Sequence, residues 1–243
     1  FIALASYIRP SFCVFAIYFF YLYFTFFKNK ISIYYVILFN ILLAFPAFFY
    51  LFILDVFFIG FHIGSTLEES NTNYFDKTAI IGSIIIFHSI PFLYYKNFFF
   101  NKLFEKKLLI FFSFAISSIL IFYFNYNLDS AGGGIFLHIS NFLIGNNYLF
   151  YLLLPIFTFL ILNILKIKLS NNLIVVLVLL LMTPQYHIFH KYYDPLVFIL
   201  CLTMIDFNLK KDFFMEKKYI SSAYLLFFTH YLISFVNSYY IKF

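Results

Sequence analysis

Residues 148–168 read YLFYLLLPIFTFLILNILKIK, an uncharged run from Tyr148 to Leu165 closed by Lys166 and Lys168. A helix of about 20 apolar residues crosses the ~30 Å hydrocarbon core of a bilayer. Comparable runs recur at 2–27, 31–58, 78–95, 108–124, 173–183, 195–207 and 219–240. The chain is therefore expected to be all-α, a polytopic transmembrane helix bundle of about eight spans forming one domain over residues 1–243. The runs 173–183 and 195–207 are short and equally suit a re-entrant pair held inside the bundle, which leaves the parity of the ends unchanged.

Composition points the same way. Hydrophobic residues make up 64% of the chain, charged residues 11%, and mean hydropathy is +0.95, whereas soluble domains run at roughly 45–50% apolar and about 25% charged. A soluble core has no room for this much apolar surface. The 42 Phe and 22 Tyr, without any Trp, reflect an AT-biased genome rather than a cofactor box, since lipid accepts Phe as readily as Leu. The net charge of +6 does not indicate nucleic acid, because the lysines flank apolar runs and make no continuous basic face. Cys13 and Cys201 are too few for a disulfide or zinc framework. The chain opens on Phe1 with no charged leader, so it is expected to be the C-terminal part of a longer protein.

Orientation follows from the basic residues. Alternating the connections puts Lys28, Lys30, Lys96, Lys102, Lys106, Lys107, Lys166, Lys168, Lys210, Lys211, Lys217 and Lys218 on one side, twelve of the 16 basic residues. The positive-inside rule makes that side cytoplasmic. Arg9, Lys77, Lys191 and Lys242 fall on the other side with the long loops 59–77 and 125–147 and the segment 184–194. Polar and aromatic complexity thus gathers outside the cytoplasm, where loops on a rigid scaffold carry function.

The densest chemistry lies in Thr183-Pro184-Gln185-Tyr186-His187-Ile188-Phe189-His190-Lys191-Tyr192-Tyr193-Asp194-Pro195. Lys as a point charge, with His and Tyr as donors, suits a phosphate at the membrane surface. The competing reading is an interfacial anchor, since Tyr, His and Lys cap spans at headgroup level. His187 and His190 lack a completing carboxylate or Cys, so no metal site and no cofactor are expected. Arg9, the only Arg, has a fork suited to a lipid phosphate, or else snorkels. Asp129 opens Asp129-Ser130-Ala131-Gly132-Gly133-Gly134 and reads as a turn residue or a catalytic base. The following segment 135–144 is expected to be a short amphipathic external helix lying on the membrane. His62 lines the same outer side or is simply solvated. His88 and His230 lie inside spans, where a polar side chain usually bonds a neighbouring helix.

The Ile8-Arg9-Pro10 span, the long Pro-containing second run ending at Phe58, and His190-Lys191-Tyr192-Tyr193-Asp194-Pro195 before a late short span together resemble the C-terminal half of GT-C type glycosyltransferases. The resemblance implies sugar transfer on the extracytoplasmic face from an isoprenyl-phosphate donor by inverting displacement, with membrane lipid as a partner. It implies Arg9, His187, His190 and Lys191 on the donor phosphate, Gln185, Tyr192, Asp194 and His62 positioning substrate, and Asp129 as reserve candidate for the base. An envelope polysaccharide polymerase or ligase, or a non-enzymatic transporter or flippase, are the other expectations.

Overall fold

The computed structural model describes residues 14–26, 30–53, 73–95, 107–126, 132–182, 188, 190, 193, 196–207 and 216–240. Among these residues all regular structure is helical. Nine helices follow in order: α1 Phe15–Phe26, α2 Lys30–Ile53, α3 Tyr74–Tyr95, α4 Lys107–Phe122, α5 Ile135–Ile144, α6 Tyr148–Ile167, α7 Leu169–Leu181, α8 Leu196–Thr203 and α9 Lys217–Tyr240. Two stretches among the described residues, Tyr74–Tyr94 and Tyr148–Ile167, are long and apolar enough to cross a membrane. The first is 83% buried against 44% for the second, which makes α3 the central helix.

α3 packs against α4, α5, α6, α7, α8 and α9. Its sequence allows this because no side is lipid-like only: Ile80, Ile81, Ile84 and Ile85 alternate with Ser83, His88 and Ser89, and all of these are buried. Its hydroxyls are satisfied on its own backbone, Ser83 Oγ donating to the Ile80 carbonyl at 2.7 Å and Ser89 Oγ to that of Ile85 at 2.7 Å. A helix that bonds its own polar groups can be enclosed without unsatisfied donors. Asn73 starts it, its Oδ1 accepting the Phe75 N–H at 3.0 Å and its carbonyl the Lys77 N–H at 3.1 Å.

The helix ends gather at two opposite poles. At the first pole Asp76 Oδ1 accepts the Asn125 N–H at 2.9 Å, Asn73 Nδ2 donates to the Tyr123 carbonyl at 2.7 Å, and the rings of Phe75 and Tyr123 stack at 4.6 Å. Phe124 there meets Phe150 and Tyr151 at the start of α6. At the second pole Lys168 pairs with Asp206 at 3.4 Å, Phe92 stacks on Phe207 at 5.0 Å, and Lys218 Nζ lies 5.2 Å over the Tyr94 ring. α3, α6 and α8 thus run from the first pole to the second, and α4, α7 and α9 return.

The α6–α7 turn at the second pole is held by amides. Asn172, fully buried, donates through Nδ2 to the carbonyls of Ile164 at 2.8 Å and Asp206 at 3.0 Å, and its Oδ1 accepts the Asp206 N–H at 2.8 Å. Asn171 Nδ2 reaches the Met204 carbonyl at 2.7 Å, and its Oδ1 accepts from the Tyr18 hydroxyl at 3.2 Å, docking α1. These amides explain why α7 begins at Leu169, ahead of the apolar run expected from 173. α8 stops at Thr203 because the N–H groups of Met204 and Ile205 both turn back to the Leu200 carbonyl at 2.8 Å.

The outside of the bundle is apolar. Phe24, Phe26, Phe39, Leu42, Leu108, Phe111, Phe122 and Leu152 are exposed, while Asn163, Asn171, Asn172, Thr158, Ser113 and Ser117 are buried. The short helix expected at 135–144 forms as α5, with a different setting. Its exposed side carries His138 together with Ile139, Phe142, Leu143 and Ile144, whereas Ser140 is buried, donating to the Asn146 carbonyl at 2.7 Å and accepting the Phe150 N–H at 3.1 Å. Its first turn starts beside Ile80 and Ile84 of α3, not on a surface.

Replacing Asn172 with Leu keeps the volume but removes four hydrogen bonds, those to the carbonyls of Ile164 and Asp206, from the Asp206 N–H and from Asn171 Nδ2. The expected loss is about 2–4 kcal/mol, read as a fall of roughly 5–10 °C in the unfolding midpoint of detergent-solubilised protein. Ser170→Ala, which removes only an exposed bond to Tyr21, should shift it by less than about 2 °C.

Candidate functional site

Three successive glycines break the chain before α5. Gly132, Gly133 and Gly134 have φ of 125°, 106° and 75°, a left-handed path that side chains with a Cβ resist. Space is limiting as well. A Cβ on Gly132 would stand 2.6 Å from the Tyr126 hydroxyl and 3.1 Å from the Ile188 carbonyl oxygen, and one on Gly134 would touch Ile80 and Ile84 at 3.4 Å. The glycines therefore let backbone meet backbone inside the bundle. Gly133 N–H donates to the Ile188 carbonyl at 2.9 Å, and the buried Tyr126 hydroxyl accepts the Ile188 N–H at 3.4 Å.

This junction lies well below the first pole. Ile80 and Ile84 are six and ten residues into α3 from Tyr74, a depth of about 9–15 Å at 1.5 Å per residue. Deeper still, Phe136 at the start of α5 meets Phe87 and Phe157, with centroids 6.2 and 4.7 Å apart. The irregular stretch 132–134 and Ile188 thus meet inside the bundle and satisfy one another's backbone groups.

From Ile188 the chain makes one turn, the Tyr193 N–H donating to the His190 carbonyl at 2.9 Å and the Val197 N–H to that of Tyr193 at 2.7 Å. Tyr193 is fully buried. The turn brings His190 to a cluster of rings from three elements. His190 stacks on His88 of α3 at 5.4 Å with an interplanar angle of 21°, and lies 5.0 Å from His230 of α9. Phe87 closes one side, 5.6 Å from His190 and 5.2 Å from His230, and Phe227 packs against His88 at 5.6 Å.

The His88 ring is anchored on its own helix. Its Nδ1 stands 2.9 Å from the Ile84 carbonyl, and a carbonyl only accepts, so Nδ1 carries a hydrogen. Pro91 stands one turn on, and its missing N–H removes the helical donor for the Phe87 carbonyl beside the cluster. His88 lies about 21 Å from Tyr74 and about 10 Å from Tyr95 along α3. The three imidazoles meet as rings, by stacking and edge contacts. Among the described residues no group of three His, Cys, Asp or Glu side chains is arranged to hold a metal ion.

Of the residues singled out from the sequence, His190 lies in the described structure. Arg9, His62, Asp129, Gln185, His187, Lys191, Tyr192 and Asp194 lie outside the described residues. The junction still bears on two of these segments, because Tyr126 and Gly132, which bracket Asp129 in sequence, both approach Ile188, between His187 and His190. His88 and His230 were assigned from sequence to bonding between helices; their meeting with His190 has no signal in local spacing. Asp76 was counted only as an outer-side charge, yet it is buried, Oδ1 on Asn125 and Oδ2 without a hydrogen-bond partner, at the first turn of α3 where the helix dipole favours an anion.

No protein-family model, curated protein or solved structure matches the chain.

Gly132→Ala should destabilise the fold by about 2–4 kcal/mol, from a positive φ combined with a close approach. Gly145→Ala is the matched control: φ is 73° there, but nothing lies within 4 Å of the added carbon, so about 1 kcal/mol is expected. Urea unfolding of both variants in mild detergent compares them. Equal losses would mean that the junction with Ile188 is not a packed contact.

Proposed function

We propose that the protein is a multi-pass integral membrane protein that transfers a sugar from an isoprenyl-phosphate donor at a site reached from the extracytoplasmic side. Membrane residence is supported by the many large apolar side chains exposed on the outer faces, with Asn163, Asn171, Asn172, Ser113, Ser117 and His88 enclosed among the apolar core. Soluble monomers rarely expose contiguous apolar patches beyond a few hundred Å². In this reading the second pole, with Lys168 and Lys218, is cytoplasmic, and the first pole, with Asp76 and Asn125, faces out.

The observation that carries the transfer reading is the Gly133–Ile188 bond. It joins the two segments from which the base candidate Asp129 and the phosphate-side residues His187, His190 and Lys191 are drawn. In the proposed reaction the acceptor hydroxyl loses its proton to the Asp129 carboxylate as its oxygen attacks the anomeric carbon. The carbon–oxygen bond to the phosphate breaks, and the electron pair leaves with the isoprenyl phosphate. Arg9, His187, His190 and Lys191 stabilise that leaving group, with Gln185, Tyr192, Asp194 and His62 positioning the sugar. His88 and His230 hold the His190 ring in place through ring contacts.

A transporter or flippase is the second reading, favoured by one observation: the three imidazoles lie far from both ends of α3, and binding at discontinuous segments near mid-depth is how such proteins hold cargo.

Membrane vesicles carrying the protein, incubated with polyprenyl-phosphate glucose, mannose or galactose labelled in the sugar, separate the readings. Transfer predicts release of label from the lipid phase, reduced at least about 100-fold by His190→Ala and by Asp129→Asn. Movement of intact lipid between leaflets with no release would establish the second reading instead. Orientation is checked apart from activity: a cysteine introduced at Ser70 should react with an impermeant maleimide on intact cells and one at Asn101 should not.

A further inference from the structure

α2 is held differently from the other helices. Among the described helices it packs chiefly on α1, while α4 to α9 enclose α3 without it. Between α1 and α2 lies an open cleft of about 610 Å³, walled by Phe19, Phe20 and Tyr23 of α1 and Ile37, Asn40 and Ile41 of α2 among others, with no charged side chain in its lining. Phe19 and Phe20 are 42% and 41% exposed and Ile41 is 58% exposed. Two rows of apolar side chains thus stand apart, with room between them for a third.

One carboxamide sits in this cleft far from either end of its helix. Asn40 stands about 15 Å from the Lys30 end of α2 and about 20 Å from the Ile53 end, at 1.5 Å per residue, which is mid-depth for a helix crossing a ~30 Å hydrocarbon core. Its Nδ2 donates to the Val36 carbonyl of its own helix at 2.8 Å. A carboxamide has a second amide hydrogen and an acceptor oxygen besides, and both are left for a group outside α2. Lipid tails offer none, and Asn side chains in that setting bond across helices.

We propose that two copies of the chain pair in the bilayer through this cleft, about a two-fold axis along the membrane normal. Side chains of each α2 enter the cleft of the other copy, Ile37 and Ile41 against Phe19 and Phe20, and the two Asn40 carboxamides bond to each other at the axis. Depth and chemistry both select a second copy. Copies in one bilayer share one orientation, so a residue on the axis of such an isologous pair meets its own counterpart at its own depth. A carboxamide is its own complement, donor to acceptor in both directions, and the uncharged cleft asks for no charged partner. Leu38 and Leu42, two residues either side of Asn40, lie on the opposite side of α2, are 53% and 60% exposed and stay toward lipid. The inference rests on the membrane placement of the bundle and not on sugar transfer.

The test counts copies in vesicles by single-molecule photobleaching, on protein with Cys13 and Cys201 replaced by Ala and a dye on a cysteine at Ser70, over a range of lipid dilutions. Pairs should form, and Asn40→Leu should raise the protein density needed for half-pairing at least about threefold. Asn40→Gln, which keeps the amide, should raise it less. Oxidative cross-linking is read separately on chains that keep Asn40: Ile37→Cys should give a disulfide-linked pair and Leu42→Cys should not, so a fold lost in an Asn40 variant leaves this assay to decide. Protein that floats with the vesicles yet stays single at every dilution, its cleft then filled by lipid, would overturn the proposal alone, as would pairing that Asn40→Leu leaves unchanged or a cross-link at 42 in place of 37. Protein that does not float with the vesicles would overturn the membrane placement and the pairing with it.

Discussion

The helix Tyr74–Tyr95 has to be enclosed. It carries Asp76, Lys77, Ser83, His88 and Ser89 in one run, all buried, and burying that many polar groups is stable only when each is answered nearby. Its hydroxyls are answered by its own carbonyls and its carboxylate by the end of α4. The other helices supply apolar walls, and the arrangement of α4 through α9 follows from the need to surround this one element on every side.

Enclosure also explains the irregular segments. A six-sided wrapping of one helix cannot be made from full-length crossings alone, because α7 has 13 residues and α8 only eight. Beside these short helices the described residues 132–134, with Ile188, His190 and Tyr193, pack against the core. Their backbone groups meet at Gly133 and Ile188, and positive φ at three glycines makes that approach possible. The histidine cluster is a consequence: the turn after Ile188 has to be level with the middle of α3, where His88 faces it, and α9 brings His230 alongside.

Part of this was legible in the sequence. The run 148–165 appears as α6 and ends at the expected lysines, and Thr78–Tyr95 falls within α3. Both are predominantly apolar over a span-length window, Tyr148–Ile167 more so than the α3 stretch with its Ser83, His88 and Ser89, and that is the signal a hydropathy window reads. The start of α7 was missed because Asn171 and Asn172 look like loop residues until the carbonyls of Ile164, Met204 and Asp206 are brought to them. The setting of α5 was missed for a related reason: a glycine run reads as a loose surface turn, and only the closeness of Tyr126, Ile188 and Ile84 shows it to be a packed one. The segment around His190 stood out by composition. Its partners did not, since His88 and His230 come from elements 102 residues before and 40 residues after it, and no periodicity links them.

The central proposal is that the bundle, whose exposed faces are apolar and which encloses the polar side chains of α3, sits with those faces toward lipid. Photolabelling in vesicles with a carbene precursor attached to an acyl chain, read by peptide mass spectrometry, measures this directly. The account predicts label on the exposed sides of α1, α2 and α4, at residues such as Phe24, Leu42 and Phe122, and almost none on α3 between Ile80 and Leu93. Label spread over α3, or absent from the outer faces while a water-soluble carbene marks them, would contradict it.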